Sequence, residues 1–316
     1  MIYVHVPFCH RKCTYCAFYS KVGIGNVAAY VDAILEEMER RKGEPANPIQ
    51  TVYFGGGTPS ILPIEHLARI VEGLRRCFDL SQVHEVTIEA NPEDLTPDYL
   101  QALDAAANAR AAGFSNISVD FIYGLPLFPD NLYVPEGVTH VSAYALTVEP
   151  GTALAVQVEK GRVVLPDEEE VVRQYHALHQ MLVSTGFEQY EVSNYARPGF
   201  RSHHNSRYWN RTPYLGLGPG AHSFDGRCRR WNNPDGTVGM ETLNDADAYN
   251  ELLMTALRTT DGLAAGDVPE GQRERLHQMM QPYVDCGWIV PADNRYVPTA
   301  EGLLHADGIA AALFIA

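Results

Sequence analysis

The first half of the chain alternates short apolar runs with segments of helical periodicity. The apolar runs predict five strands, at Ile2–Val6, Thr51–Phe54, Glu85–Glu89, Asn116–Ile122 and His140–Leu146. Between the first three strands, apolar residues recur at the three- and four-residue spacing of an amphipathic helix. They are Val31, Ile34, Leu35 and Met38, and, after Pro63, Ile64, Leu67, Ile70, Val71 and Leu74. Strands that alternate with helices predict an α/β fold with a parallel sheet or barrel.

The second half has a different pattern. A long helix is predicted beyond Pro166, with Val171, Val172, Tyr175, Leu178 and Leu182 on one face. The tail predicts helices at Ala248–Arg258 and Gln272–Val284, a hairpin around Ala292–Asn294, and a helix from Thr299. That order is typical of a small winged-helix-like domain. We therefore expect three parts: residues 1–200, a loop-rich connection at 201–240, and a C-terminal helical domain at 241–316.

Two connections do not fit the helical crossovers that the predicted topology requires. Parallel strands need a crossover of a dozen or more residues, usually with a helix. The segment Gly124–Thr139 contains three prolines, and the helix-like run at 96–113 loses its apolar periodicity at Leu103–Asp104. If segments are missing, the Cα–Cα separation near Leu103–Asp104 and between Pro126 and Pro135 should exceed the ~3.8 Å of a trans peptide.

Composition and charge narrow the function classes. The chain has 316 residues, 46% of them hydrophobic, and a formal net charge of −15. Its length suggests about two domains. The acidic balance argues against a large nucleic-acid interface, which needs clustered Lys and Arg. The chain lacks an apolar run near the ~20 residues of a membrane span and opens on a predicted strand. We therefore expect a soluble, cytoplasmic protein with no nucleic-acid partner.

Three of the six cysteines lie within eight residues. Cys9, Cys13 and Cys16 form this group, whereas Cys77, Cys228 and Cys286 are scattered, with Cys77 in a helical pattern that predicts a buried thiol. A tight thiol group in a large chain without secretory features indicates metal or redox chemistry. The spacing C-x3-C-x2-C favours a four-iron cluster with one iron open to a small molecule. A zinc site completed by His5 or His10, and three unrelated thiols, are the alternatives.

Further motifs follow predicted strands, where α/β folds gather their functional sites. The glycine triplet Gly55-Gly56-Gly57 follows the second strand, and Glu89 ends the third. Glycines let backbone N–H groups approach a ligand, although most such turns bind nothing. The carboxylate of Glu89 has two interpretations: it binds ribose hydroxyl groups, or it is a solvated side chain at a strand end. Asp120 interrupts an apolar strand, and either a ligand or a structural hydrogen bond would offset its desolvation.

Together these motifs resemble the radical S-adenosylmethionine proteins and, more narrowly, the oxygen-independent coproporphyrinogen III oxidase-like family. The resemblance rests on PFCHRKCTYCAF at 7–18, FGGGTPS at 54–60, EANP at 89–92, DFIYGLP at 120–126, YALTVEP at 144–150, EVSN at 191–194 and LGLGPGAH at 215–222. It implies a partial (β/α) barrel of the radical S-adenosylmethionine type, followed by the small C-terminal helical, winged-helix-like domain.

The resemblance also implies cofactors and their residues. Cys9, Cys13 and Cys16 match the ligands of a 4Fe-4S cluster whose open iron chelates S-adenosylmethionine. The positions that match S-adenosylmethionine contacts are Tyr3, Gly56, Gly57, Thr58, Glu89, Asp120 and Ala145, with Tyr15 inside the cluster loop. In the family, reduction of the cluster cleaves the sulfonium to a deoxyadenosyl radical, and this chemistry belongs to the cofactor.

Two details distinguish subgroups of the family. The oxidases proper carry a further cysteine two places after the third, whereas this chain has Phe18. The segment His204–Trp209 reads H-N-x-x-Y-W, which is similar to the haem-chaperone subgroup. His204 then becomes a candidate axial haem ligand, with Tyr208 and Trp209 as apolar faces. The alternative is that His204 only braces its loop.

The expected function is therefore haem binding and delivery to apo-haemoproteins, including membrane-bound ones, on a scaffold without coproporphyrinogen oxidase activity. Arg197, Arg201, Arg207 and Arg211 are candidates to pair with haem propionates. The alternatives are oxidative decarboxylation of coproporphyrinogen III and radical chemistry on another substrate. The chain also departs from the family, since it lacks a G-V-Q-S-like fourth strand whose glutamine contacts S-adenosylmethionine in relatives. An arginine further on, with the same role, is lacking too.

Overall fold

The structure is a computed structural model that describes residues 1–45, 47–91, 94, 116–129, 132–134 and 136–315. The strands are β1 (Ile2–Val6), β2 (Phe8–Cys9), β3 (Lys21–Val22), β4 (Thr51–Gly56), β5 (Glu85–Ile88), β6 (Ser118–Tyr123), β7 (His140–Ala145), β8 (Glu188–Gln189), β9 (Asn194–Ala196), β10 (Leu215–Leu217), β11 (His222–Phe224), β12 (Cys228–Asn232), β13 (Val238–Thr242), β14 (Leu263–Ala264), β15 (Ile289–Ala292) and β16 (Arg295–Pro298). The helices are α1 (Val27–Arg41), α2 (Ile64–Cys77), α3 (Ala153–Glu159), α4 (Glu168–Ser184), α5 (His203–Trp209), α6 (Asp245–Ala256), α7 (Glu270–Asp285), α8 (Ala300–Leu304) and α9 (Ala306–Leu313). None of the helices in these ranges has both the length and the apolar character needed to span a membrane.

The chain divides into two compact units. Unit 1 comprises Met1–Phe114, Glu149–Ala155 and Thr212–Thr242. Unit 2 comprises Ser115–Val148, Val156–Arg211 and Leu243–Ala316. Each unit is thus assembled from segments that are far apart in the sequence. The three-part division at residues 200 and 240 follows the pattern along the chain and stays a prediction.

Unit 1 contains a parallel four-stranded sheet in the order β10-β1-β4-β5. Ile2 in β1 pairs with Val52 of β4 on one side and with Leu215 of β10 on the other. Ile2, Val4 and Val6 are buried, and so is most of β4. Strands buried on both faces read as continuous apolar runs, which is why the sequence revealed β1 and β4.

Helices α1 and α2 cover this sheet. Their ranges contain the apolar positions that the sequence predicted, and each helix buries that face. The side chain of Asn26 caps α1 by accepting a hydrogen bond from the N–H of Ala29. Gly73 in α2 lies against the side chain of Leu35, where a Cβ atom would not fit, so the two helices approach closely there. Cys77 is a buried thiol on α2, as predicted.

A buried arginine connects α1 with strands β10 and β11. Arg41 is only 3% exposed. Its guanidinium lies 3.0 Å from a carboxylate oxygen of Glu37 and 2.7 Å from one of Glu44. It also donates to the carbonyl of Gly216 at 2.8 Å and to the hydroxyl of Ser223 at 3.0 Å. The charge is therefore fully paired, which is the condition for burying it.

We expect Arg41→Ala to lower the free energy of unfolding by about 3–5 kcal/mol, because removing one partner of a buried pair leaves the other uncompensated. The neighbouring Arg40 is a matched control, since its side chain is 67% exposed and lies 4.0 Å from Glu36. Arg40→Ala should change stability by less than about 1 kcal/mol. Urea denaturation followed by circular dichroism measures both, and equal losses would contradict the burial argument.

The segment 201–240 is more regular than the expected loop-rich connection. It contains α5 and β10, and β11, β12 and β13 form a three-stranded antiparallel sheet. These strands have only three to five residues, and β12 carries Arg229 and Arg230. Such short, charged strands produce no apolar alternation, so the sequence pattern did not reveal them.

Unit 2 contains a mixed sheet in the order β6-β7-β9-β8. β6 and β7 are parallel, with Ser118 opposite His140, although no helix occurs in the described residues between them. This agrees with the expectation that Gly124–Thr139 holds no helix. The predicted long helix is α4, which buries Tyr175, Leu178 and Leu182. The segment at Leu103–Asp104, and also Pro135, lie outside the described residues, so the Cα separations expected there stay predictions.

The C-terminal part of unit 2 follows the predicted order of helices and hairpin. Helices α6, α7 and α9 pack with the antiparallel sheet β14-β16-β15 around one apolar core. Asp293 and Asn294 turn the β15–β16 hairpin with φ angles of 47° and 60°. Two successive positive φ angles are the signature of a type I′ turn, which Asp and Asn tolerate well. Thr299 caps α8, as the predicted helix start required.

Candidate functional site

Three predicted motifs meet at one edge of the unit 1 sheet. Because β1, β4 and β5 are parallel, their carboxyl ends lie side by side. The cysteine loop follows Val6, the glycine triplet closes β4, and Glu89 follows β5 directly. The expected convergence of these motifs is therefore confirmed for unit 1.

Backbone hydrogen bonds fix the cysteine loop at both of its ends. At its start, the carbonyl of Phe8 accepts from the N–H of Thr58 at 2.7 Å, and Thr58 is buried. At its end, the N–H of Gly23 donates to the carbonyl of Cys9 at 2.8 Å. Between these points, the N–H of Cys16 donates to the carbonyl of Cys13 at 3.2 Å and closes a turn. None of these bonds uses a sulfur atom.

Two residues of the glycine triplet allow the cysteine loop to approach β4. A Cβ atom on Gly57 would lie 2.5 Å from the carbonyl oxygen of Phe8 and 3.0 Å from the Sγ of Cys9. Gly56 has a φ of 111°, and a Cβ there would lie 2.5 Å from the ring of His5. Both positions therefore require glycine, one for space and one also for its backbone conformation.

Glu89 is held in a fixed orientation beside Gly55 and Gly56. One carboxylate oxygen accepts from the hydroxyl of Tyr53 at 2.8 Å, and the other accepts from the N–H of Gly56 at 3.1 Å. The rings of Tyr3 and Tyr53 stack, with their centroids 5.9 Å apart. A Cβ atom on Gly55 would overlap both rings and the carboxylate of Glu89. Burial, with the charge of Glu89, raises the pKa of Tyr3. A carboxylate oriented in this way suits ligand hydroxyl groups.

His5 is part of the packed site rather than an available metal ligand. It is 3% exposed, and its Nε2 donates to the carbonyl of Tyr19 at 2.9 Å. Its Nδ1 lies 3.2 Å from the hydroxyl of Tyr3, which can then donate to it. Burial lowers the pKa of His5 and so favours this neutral form.

His10 is also engaged. Its Nε2 lies 2.6 Å from one carboxylate oxygen of Asp94, whose other oxygen accepts from the hydroxyl of Ser60 at 2.6 Å. The same hydroxyl oxygen accepts from the N–H of Asn91. The two histidines considered as a fourth zinc ligand therefore both contact other groups.

The cysteine donor set fits a cluster better than a single ion. Cys9, Cys13 and Cys16 are free thiols, with Cys13 exposed and the others half-buried. Across the described ranges, no three side chains of His, Cys, Asp or Glu are grouped closely enough to hold one metal ion. In a four-iron cluster each thiolate binds a different iron, so the sulfur atoms need not converge on one point. Three thiolates on one anchored loop can each bind a different iron in this way.

The remaining proposed cofactor contacts lie partly in unit 2. Tyr15 is 40% exposed in the cysteine loop of unit 1. In unit 2, Asp120 lies in β6 opposite Ser142 of β7, and Ala145 ends β7 with an exposed side chain. Protein atoms beside Asp120 displace water and raise the pKa of its carboxyl, and Ser142 acts in the opposite direction. The side chain of Asp120 is exposed, and its role as a ligand contact stays a prediction.

His204 lies in the first turn of α5 in unit 2. It is 1% exposed, and its Nε2 lies 3.2 Å from the hydroxyl of Tyr208. Burial lowers the pKa of His204 to about 3, with a further contribution from Arg207. The imidazole is therefore neutral at physiological pH, the form that binds metals. Trp209, at the end of α5, lies 5.1 Å below the guanidinium of Arg258.

The candidate propionate partners Arg197, Arg201 and Arg211 contact other protein groups. Arg197 donates to two backbone carbonyls and stacks on the ring of Phe187. Arg201 lies 3.5 Å from Asp261, and Arg211 donates to the carbonyl of Ala248. Their guanidinium groups are thus already engaged in holding unit 2 together.

Sequence reasoning missed several residues that shape the site. Tyr53 orients Glu89, and Asp94 anchors His10. Strand register was the available signal for Tyr53, since Tyr53 of β4 is paired directly with Tyr3 of the neighbouring strand β1. Asp94 gave no signal, because it lies outside any periodic segment.

Comparison with known proteins identifies relatives across the whole chain. The model of the Radical SAM superfamily matches residues 3–107. The heme chaperone HemW of Mycobacterium tuberculosis is 33% identical over 366 aligned positions, covering 98% of this chain and 93% of the relative. The heme chaperone HemW of Synechocystis is 28% identical, covering 99% of this chain and 96% of the relative. The first of these alignments is longer than the 316 residues of this chain, so it passes over stretches of the relative that have no counterpart here.

A solved structure establishes the fold. The chain superimposes on coproporphyrinogen III oxidase (HemN) from Escherichia coli with a TM-score of 0.75, covering 99% of this chain and 89% of the other. The identity is 19%, so the likeness concerns the fold. The expected radical S-adenosylmethionine type of α/β fold is therefore confirmed.

Proposed function

Because this chain belongs to the HemW family of radical S-adenosylmethionine proteins, we propose that it binds haem and delivers it to apo-haemoproteins. The observation that carries this proposal is the 33% identity to a heme chaperone over 98% of the chain. Phe18 supports it, since the oxidase subgroup has a cysteine at that position. The H-N-x-x-Y-W motif on α5 supports it further.

The family also implies the proposed cofactors. Cys9, Cys13 and Cys16 would hold a 4Fe-4S cluster, which supplies one-electron chemistry when bound. The residues that the family assigns to S-adenosylmethionine are Tyr3, Tyr15, Gly56, Gly57, Thr58, Glu89, Asp120 and Ala145. The fixed carboxylate of Glu89 and the glycine N–H groups support this assignment for unit 1. The cluster would serve assembly or regulation of the chaperone.

His204 is the proposed axial ligand of the haem, and the recipients are apo-haemoproteins, including membrane-bound ones. A chaperone must hold its cargo firmly enough to carry it and loosely enough to release it. A single histidine ligand suits that balance better than two. We place the protein in the cytoplasm, and its net charge of −15 supports the absence of a nucleic-acid partner.

The experiment that tests the function combines two assays on one anaerobically reconstituted sample. In the first, haem is titrated and the loaded protein is mixed with an apo-haemoprotein such as apomyoglobin. We expect one haem per chain, and its transfer, both followed by absorbance. In the second, coproporphyrinogen III and S-adenosylmethionine are added, and we expect no decarboxylated product. Conversion of coproporphyrinogen, or haem that binds no better than to an unrelated acidic protein, would reject the proposal.

A further inference from the structure

The proposed haem ligand is closed off in this conformation. The Nε2 atom of His204 faces the hydroxyl of Tyr208, and the two rings meet edge to face at 5.3 Å. A haem iron must approach that nitrogen directly, and the side chain is 1% exposed. Binding therefore requires α5 to shift or partly unwind, so what restrains α5 also controls access to His204.

A series of three hydrogen bonds, centred on the buried pair His140 and Tyr190, restrains the start of α5. Ser202, the residue that caps α5, donates its backbone N–H to the hydroxyl of Tyr190 at 3.3 Å. That hydroxyl lies 2.7 Å from the Nε2 of His140, and the Nδ1 of His140 lies 2.7 Å from the hydroxyl of Ser118. We refer to this series, Ser118–His140–Tyr190–Ser202, as the Tyr190 tie.

The direction of each hydrogen bond in the Tyr190 tie follows from its fixed members. A backbone N–H only donates, so the hydroxyl oxygen of Tyr190 accepts from Ser202, and its own proton is available to His140. Burial lowers the pKa of His140 to about 4, so the ring is neutral and its Nε2 accepts that proton. The Nδ1–H of His140 then donates to Ser118. The hydroxyl of Tyr190 thus contacts Ser202 on one side and His140 on the other, which keeps it in place.

Tyr190 is anchored independently of α5. It lies between β8 and β9, and its N–H donates to the carbonyl of Asn194 at 3.1 Å. Its own carbonyl accepts from the N–H of Thr260 at 3.0 Å. Its side chain is 3% exposed. When α5 moves, Tyr190 therefore stays with the sheet, and the bond to Ser202 must break.

We propose that the Tyr190 tie is a restraint that keeps His204 closed and lowers the apparent affinity of the protein for haem. This inference rests on the proposed function, with His204 as the axial ligand. A ligand that binds only an open state has an apparent Kd equal to the intrinsic Kd divided by the open fraction. The tie stabilises the closed state, so it reduces that fraction. Such a restraint gives a carrier a way to release its cargo.

Tyr190→Phe tests the restraint, because it removes only the hydroxyl. We expect the apparent Kd for haem to fall roughly three- to tenfold, the range set by one hydrogen bond. We also expect faster amide hydrogen exchange in α5 without haem. The matched control is Tyr195→Phe, since Tyr195 is a buried tyrosine of the neighbouring strand whose hydroxyl lies near His179 rather than α5. Tyr195→Phe should leave the haem titration and the exchange of α5 unchanged.

The outcomes separate the restraint from the function. If Tyr190→Phe binds haem with equal or lower affinity while His204→Ala abolishes binding, the restraint is rejected and the proposed ligand stands. If His204→Ala binds haem as the parent does, the ligand is rejected and the restraint with it. If Tyr190→Phe alters the circular dichroism spectrum, hydrogen exchange decides, and exchange accelerated throughout unit 2 rather than in α5 rejects the restraint.

Discussion

Replacing Cys9, Cys13 and Cys16 together with alanine will abolish the visible absorbance of the protein after anaerobic reconstitution with iron and sulfide. The three sulfur atoms are the only cysteine donors on the anchored loop, and thiolates are the ligands that hold such clusters. The backbone bonds that fix the loop at Phe8 and Cys9 use carbonyl and N–H groups, so they persist in the variant. Loss of the cluster is therefore expected without loss of the fold.

The chain supplies its own control for this experiment. Cys228 and Cys286 are free thiols outside the loop, and replacing both with alanine should leave the absorbance and the iron content unchanged. Iron and sulfide are counted chemically, and circular dichroism reports the fold. Full iron and sulfide in the triple variant would show that the cluster is held elsewhere.

His204→Ala will remove haem binding or weaken it by more than about 100-fold. Removing the hydrogen-bond partner of a metal ligand lowers metal affinity by ~10–100-fold, and removing the ligand itself should lower it further. Because burial lowers the pKa of His204 to about 3, the ligand is neutral across the physiological range. Protonation of His204 should therefore not weaken haem binding between pH 8 and pH 6.

His203 is the matched control, since it is the exposed neighbour of His204 on the same helix. His203→Ala should bind haem as the parent does, and both variants should keep the iron–sulfur cluster. The titration is read from the haem absorbance at constant protein concentration. If the His204→Ala curve overlays the parent curve, His204 is not the ligand, and His203 and His222 become the next candidates.

The sequence predicted the elements whose signal is local and periodic. All five strands predicted for the first half appear within two residues of their predicted ends. The signal is clearest for β1 and β4, because buried parallel strands are continuous apolar runs. Helix α1 appears because Val31, Ile34 and Met38 recur at helical spacing on its buried face. The hairpin at Asp293–Asn294 appears because these residues tolerate positive φ angles.

The sequence could not predict interactions that depend on distant partners. Arg41 reads as an ordinary basic residue near a helix end, and its burial depends on Gly216 and Ser223. The roles of Gly56 and Gly57 were predicted only as close backbone approach. The groups that approach them, the ring of His5 and the carbonyl of Phe8, follow from the three-dimensional packing. His204 was weighed as ligand or brace; its contact with Tyr208 within α5 follows from the packing, and the ligand role stays a prediction.

The pairing of β1 with β10 has a consequence for synthesis on the ribosome. The partner of Ile2, Leu215, is synthesised more than two hundred residues later. At a synthesis rate of 5–20 residues per second, one edge of β1 and the guanidinium of Arg41 stay unpaired for roughly 10–40 s. An unpaired edge strand is a template for aggregation during that interval. Slowing translation upstream of residue 215 should therefore lower the soluble yield of the nascent protein, whereas a pause after residue 242 should not.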